Sequence, residues 1–176
     1  MRVVPSLLLA CALGTGATLE KLALEEMIQK STDIVRGRVL SSTSVRRGAI
    51  IYTLATVTVS ERWKGPDRKT MEVALPGGNF GGVKQMFSGV PTLVAGTEYV
   101  LFLWTGPSGM TQIVGLSQGM LDLKLDTNGQ PVVNRAPITD NLVDPRTHLP
   151  ATDDPWLMSL DELRTKVQRS LGAARE

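Results

Sequence analysis

From Ile34 to Trp63 the chain alternates with a period of two, and no other feature restricts its fold as much. Val35, Gly37 and Val39 share one side, and Arg36 and Arg38 the other. Arg46-Arg47-Gly48 marks a turn, after which Ile50 to Trp63 runs on as a second strand. There Ala55, Val57 and Val59 face one way, and Thr56, Thr58 and Ser60 the other. Alternation of this kind belongs to a strand with one buried face, and the abundance of Val, Ile and Thr suits a pleated surface. A strand of this length far exceeds the usual five or six residues, so it is expected to bend or coil.

The same reasoning carries along the chain. Lys64-Gly65-Pro66-Asp67 is a turn cluster, and Met71, Val73 and Leu75 form the inward face of a third strand that ends at Pro76-Gly77-Gly78. Residues 76–92 are glycine-rich and hold Asn79, Phe80 and Phe87. They are expected to form a long loop, a feature that is usually functional or mobile. Gly96 to Trp104 is apolar on both faces and predicts a central strand packed on two sides. Gly106-Pro107-Ser108-Gly109 is a turn, and Met110 to Leu116 another strand. Leu121, Leu123 and Leu125 alternate with Asp122, Lys124 and Asp126, and Asn128-Gly129 then signals a hairpin.

Helices are expected at both ends. Leu24, Met27 and Ile28 sit at helical spacing within Leu22 to Lys30, with no Ser, Asp or Asn to cap the start. Ala136 to Pro155 holds four prolines and reads as an irregular segment hugging the domain. Ser159-Leu160-Asp161-Glu162 is a capping box, and Leu160, Leu163, Val167 and Leu171 form an apolar stripe on the helix that follows.

Before all of this stands a leader. Met1-Arg2 supplies positive charge, Val3 to Leu13 an apolar stretch, and Gly14-Thr15-Gly16-Ala17 a small-residue cleavage site, which is the order of a secretory signal. The expected cut is after Ala17. Leu8-Leu9-Ala10-Cys11 also resembles a bacterial lipoprotein box, with Cys11 as a lipid anchor. The run is too short to span a bilayer, which takes about 20 apolar residues, and no later stretch comes closer. Periplasmic or secreted location is therefore expected, with no transmembrane span.

Removal of residues 1–17 leaves no cysteine, so the stapling common in exported domains is unavailable to this one. A hydrophobic content of 42% with 20% charged residues is nevertheless enough for a core. Charge is uneven: residues 30–84 carry ten basic and four acidic residues, whereas 85–176 carry seven and ten. A basic half suits an anionic partner, but solvated strand faces explain it as well, and nucleic acid is not expected outside the cell.

Reactive chemistry is sparse. Gly115-Leu116-Ser117-Gln118-Gly119 matches the nucleophile elbow of α/β hydrolases, and Asp140 or Asp144 followed by His148 completes the chain order. That elbow needs a strand before it and a helix after it, whereas Met120 to Asp126 alternates as a strand. Asp126-Thr127-Asn128-Gly129 resembles part of a calcium loop, but the glutamate such a loop needs at its twelfth position is missing. His148 is the sole histidine, too few for a zinc site. No catalytic residue, metal or cofactor is expected. Tryptophan usually anchors a core or an interface, so packing is expected for at least two of Trp63, Trp104 and Trp156. The exposed binding candidates are Arg62, Trp63 and Lys64 at a strand end, with Asn79, Phe80 and Phe87 in the glycine-rich loop.

Asp33-Ile34-Val35-Arg36-Gly37-Arg38-Val39, Tyr52-Thr53, Val59 to Gly65, Leu75-Pro76-Gly77-Gly78 and Tyr99-Val100-Leu101-Phe102-Leu103 together resemble a group of uncharacterised exported bacterial proteins, over most of residues 18–133. The order of long hairpin, third strand, connection and closing strands is also similar to an OB-type barrel, as in the netrin-like module of tissue inhibitors of metalloproteases. Those inhibitors act through an N-terminal cysteine, which is absent here, so the resemblance implies architecture only.

The expectation is thus an all-β domain with flanking helices. Residues 18–135 would form an OB-like antiparallel barrel of five to seven strands behind a short N-terminal helix, and residues 136–176 the irregular segment and C-terminal helix packed on it. The function expected is non-catalytic binding of a protein or surface component of the cell envelope. The alternatives are an inhibitor or accessory protein of an exported protease, and a serine hydrolase using Ser117 and His148.

Overall fold

The structure, a computed structural model, describes residues 18–138, 140–153 and 155–173. The proposed signal peptide and Cys11 lie outside the described residues. The chain runs β1 (Thr18–Glu20), α1 (Leu24–Lys30), β2 (Asp33–Arg47), β3 (Ile50–Lys64), β4 (Thr70–Pro76), β5 (Gly78–Phe80), β6 (Val83–Gln85), β7 (Glu98–Thr105), β8 (Thr111–Ile113), a 3-10 turn at Leu116–Gly119, β9 (Met120–Leu125), β10 (Pro131–Arg135), β11 (Asn141–Val143), β12 (Pro150–Ala151), β13 (Trp156–Ser159) and α2 (Leu160–Ala173).

The period-two stretch forms the expected hairpin, with β2 and β3 antiparallel and joined by a turn at Gly48-Ala49. The bending predicted from its length takes the form of register shifts at Ile34/Val35, Arg36/Gly37 and Val39/Ser41. Such bulges raise local twist and bend the strand. Gly37 lies in this region because a Cβ there would sit 2.6 Å from Val57 Cγ1 and 2.7 Å from the Thr58 carbonyl oxygen. Only Asp33–Arg38 of β2 pairs with β7, so the outer half of the hairpin projects beyond it.

The main sheet has the order β13-β10-β9-β7-β2-β3-β4, with β8 also paired to β7. β7 is buried on both faces, as its sequence predicts. Tyr99, Leu101 and Leu103 meet Val35, Val57, Val73 and Leu75 in one core. Val100 and Phe102 meet Met27 and Ile28 of α1 and Leu163 and Val167 of α2 in the other. One core is therefore enclosed by the curl of β2, β3, β4, β7 and β8, and the other is roofed by helices.

The helices are fastened where the sequence left them bare. Glu26 Oε2 accepts from the Ala23 backbone N–H at the start of α1 (2.9 Å). At its other end Lys64 Nζ donates to the Ile28 carbonyl (2.7 Å), satisfying a terminal acceptor. Ser159 Oγ accepts from the Glu162 N–H (3.1 Å), as the capping box predicts. Glu162 itself pairs with Lys166 (2.9 Å).

Three expectations need correction. The sheet does not close into a hydrogen-bonded barrel: β8 lies against β4 without a ladder between them. β4 ends at Pro76, which has no N–H to give, and the chain after β8 turns away through Gly115 and Leu116, both with positive φ. The 76–92 stretch is not irregular throughout, because β5 and β6 form a small hairpin within it. The 136–176 region is likewise more than a strap: β13 adds to the main sheet beside β10, and β11 joins β1 and β12 in a small second sheet.

Arg135 of β10 anchors that region. It is 2% exposed, it pairs with Asp153, and its guanidinium lies over the Trp156 ring, 4.4 Å from the centroid. Asp153 also accepts the Ile138 N–H (2.8 Å). Removing Asp153 breaks this buried ion pair and takes the acceptor from the Ile138 N–H. Asp153→Ala should destabilise the fold by about 3 kcal/mol or more in denaturant titration, and Arg135→Met with Asp153→Leu should recover much of that loss.

Candidate functional site

The six side chains singled out in the sequence divide into two groups with opposite environments. Arg62 turns inward: Nη1 donates to Asp33 Oδ1 (2.8 Å) and Nη2 to the Arg68 carbonyl (2.9 Å), and both partners of the ion pair are nearly buried. Gly65, at φ +97°, passes so close that a Cβ there would lie 2.4 Å from Asp33 Oδ1. Trp63 packs against the helix-roofed core and donates Nε1–H to Glu61 Oε2 (3.3 Å). Lys64 serves α1, and its burial lowers the pKa of its ammonium. Trp63 and Lys64 thus hold the hairpin's base to the helices, Arg62 ties it to Asp33 and the following turn, and all three are partly buried.

Around Trp63 lies a network of charges. Glu61 accepts from Arg36 (2.7 Å) and from Arg164 of α2 (2.7 Å), and Arg36 also reaches Glu98 (3.0 Å). Burial by itself would raise the Glu61 carboxyl. Hydrogen bonds from Arg36, Arg164 and Trp63 outweigh it and hold the group below its ordinary value of 4.5. Glu98 is lowered in the same way by Arg36 and Ser60 against its own desolvation. A carboxylate depressed in the folded state stabilises above its unfolded pKa, and that contribution is lost as pH falls through the folded value. Melting temperature should therefore fall with acidification below about pH 4.5. Glu61→Gln should melt lower than the parent at neutral pH yet show a shallower acid limb, the residual slope belonging in part to Glu98.

The second group is exposed. β5 and β6 pair with Phe80 opposite Val83 and Asn79 opposite Lys84. The connecting Gly81-Gly82 has positive φ at both residues, as a tight hairpin turn requires. The hairpin is held to the tip of β2–β3 by Gln85, whose side chain accepts from the Ile51 N–H (2.7 Å) and donates to the Ala49 carbonyl (2.9 Å). Phe80, Val83, Met86 and Phe87 are 45%, 53%, 78% and 44% exposed, an unusual density of large apolar side chains in eight residues. A groove of about 360 Å³ runs beside them, floored by Leu75, Pro76, Val90 and Leu93.

Adjoining that groove at Leu75, Pro76 and Pro91 is a more apolar cavity of about 490 Å³, in the seam between β4 and β8. Its size is that of a small-molecule site. Trp104, 44% exposed, lines it with Ile113, Val114 and Leu116, and Lys30 lies at its rim. Packing holds for two tryptophans, Trp63 and Trp156, but the exposed one is Trp104. The sequence carried a signal for this: Trp104 closes an apolar strand just before a glycine turn, beyond the reach of the helices. A Cβ at Gly106 would stand 2.7 Å from the Trp104 ring.

The residues of the hydrolase-like motif are distributed over separate turns. Ser117 sits in the single 3-10 turn between β8 and β9, with no helix after it. Its neighbour Gln118 is 1% exposed, accepting from the Leu22 N–H and donating to the Glu20 carbonyl, both at 2.8 Å. His148 is exposed with φ +56°. Asp144 caps the backbone of Thr147 and Arg146, which holds its carboxyl below the usual range. Asp140 accepts from Ser88 Oγ (2.5 Å). No hydrogen bond joins Ser117, His148 and either aspartate among the described residues. Asp126 accepts the Asn128 and Gln130 N–H groups of its hairpin turn (2.8 Å each). No group of three or more metal-binding side chains gathers among the described residues, and no helix there is long and apolar enough to cross a membrane. Gln118→Ala should cost about 2 kcal/mol by orphaning a buried N–H, read as a Tm drop of about 4–8 °C at this size. Ser117→Ala should leave Tm nearly unchanged.

A scan against protein-family models finds no match to this chain, and a search of curated proteins finds no relative.

Proposed function

We propose that this protein is an exported, non-catalytic binding module of the bacterial cell envelope. Its binding face would be the end of the molecule formed by the β5–β6 hairpin and residues 86–93. The observation that carries the reading is the cluster of Phe80, Val83, Met86 and Phe87. Four large apolar side chains are held in water on a hairpin that is itself anchored by Gln85. Burial of such a cluster against a partner is favourable, and monomeric domains seldom expose one without use. The sequence features of Met1 to Ala17 support the location.

The architecture fits an open OB-type barrel. The path β4-β3-β2-β7-β8, with β4 and β8 adjacent but unpaired, follows the strand order of that fold, which is commonly only partly closed. Function does not follow from this likeness. The non-catalytic reading is supported instead by the structural engagement of Asp140, Asp144 and Gln118 described above.

The test is sedimentation of the purified protein with envelope fragments of its host. Phe80→Ser with Phe87→Ser should reduce the bound fraction by about tenfold or more, from the apolar area withdrawn, and shift Tm by only a few degrees. Undiminished binding by the double variant refutes this face as the binding site.

A further inference from the structure

The hairpin end has a second property that its apolar side chains do not explain: it holds cations and is almost free of acids. Residues 39–60 contain Arg46 and Arg47 and no aspartate or glutamate, and residues 73–97 contain Lys84 and likewise none. The fold brings these two segments together. Gln85 ties the hairpin to Ala49 and Ile51 beside the β2–β3 turn, and Gly78 packs against the side chains of Ser44 and Thr53. Arg46, Arg47 and Lys84 are all exposed. Arg46 reaches only the Gly48 carbonyl of its own turn (3.1 Å), and no carboxylate pairs with any of the three among the described residues. The acids bonded to these segments are Asp140, held by Ser88 at the root of the loop, and Glu98, held by Ser60 toward the base of the long hairpin. Arg36, Arg38 and Arg164, by contrast, are paired with Glu61, Glu98 and Asp161 in turn.

We propose that this end docks on a lipid bilayer bearing anionic head groups, with Phe80, Val83, Met86 and Phe87 entering the interface and Arg46, Arg47 and Lys84 contacting the head groups. The inference rests on the binding-module reading and names its partner. Apolar side chains ringed by unpaired Lys and Arg are the composition of interfacial anchors. An apolar protein groove would gain from the phenylalanines but leaves the cations unanswered. A soluble anion would answer the cations but leaves the phenylalanines in water. The anionic bilayer surface satisfies both in one geometry, and a hairpin turning through Gly81-Gly82 offers a narrow tip for insertion. Each basic residue near such a surface adds roughly fivefold in affinity, and the attraction shortens with the screening length as salt rises.

The test is flotation of the full chain with phosphatidylcholine vesicles, with and without phosphatidylglycerol. All variants share residues 1–17, so a difference between them reports on the hairpin end and not on that segment. The protein should float with the anionic vesicles, at least tenfold less with phosphatidylcholine alone, and less again at high salt. Arg46→Gln with Arg47→Gln and Lys84→Gln should lose about a hundredfold on the anionic vesicles, and Phe80→Ser with Phe87→Ser at least tenfold, both with near-parental melting. Equal flotation by the charge variant, or by the phenylalanine variant, overturns the proposal. Binding to envelope fragments without binding to either lipid vesicle also overturns it, assigning the face to a protein or polysaccharide and leaving the binding-module reading standing. Failure on fragments and vesicles alike removes both.

Discussion

β7 is the constraint from which the rest of this structure follows. A strand buried on both faces cannot be stabilised by one core; it needs a layer on each side, and its alternate residues must suit different neighbours. Here Tyr99, Leu101 and Leu103 are enclosed by the curled part of the sheet, while Val100 and Phe102 are covered by α1 and α2. Both helices are accordingly short of independent stability and rely on that apolar face. The polar groups around the base of the long hairpin exist on the same terms. Lys64 closes α1 and Arg164 ties α2 to Glu61, so the roof is fixed at its edges as well as through its centre, while Arg62 pairs with Asp33 between β3 and β2.

Because the cores lie around β7, the distal half of the β2–β3 hairpin is left to reach outward. The β5–β6 hairpin leans on that extension rather than on the centre of the domain. Side chains there can be exchanged at little expense to the fold. This separation of a packed base from a projecting apolar end suits the proposed binding role, since functional surfaces are commonly borne by loops set on a rigid scaffold.

Much of the fold was legible in the sequence because it rests on periodicity. The alternation in Val35 to Val39 and Ala55 to Val59, the doubly apolar run at Tyr99 to Leu103, and the Asn128-Gly129 turn all report local backbone geometry directly. The barrel closure was not legible, since it depends on whether two distant short edges, at β4 and β8, come into register. The exposure of Phe80 and Phe87 was legible because a glycine-rich stretch has no regular face in which to hide them. The partial burial of Arg62, Trp63 and Lys64 was not legible, because their partners, Asp33, Glu61 and the end of α1, are distant in sequence or set by the fold. Trp104 was overlooked for the converse reason, as an apolar neighbourhood in sequence is not a covered one in space.

The unladdered meeting of β4 and β8 gives the molecule a mechanical property. Most strand neighbours in the main sheet are latched by backbone hydrogen bonds, so prising them apart breaks several at once. Along this line nothing of that kind resists, and widening is opposed only by the contacts of oily side chains such as Leu75 and Ile113. The hollow beside Trp104 thus lies along a boundary of the sheet that no backbone ladder crosses, where widening would cost side-chain contacts alone.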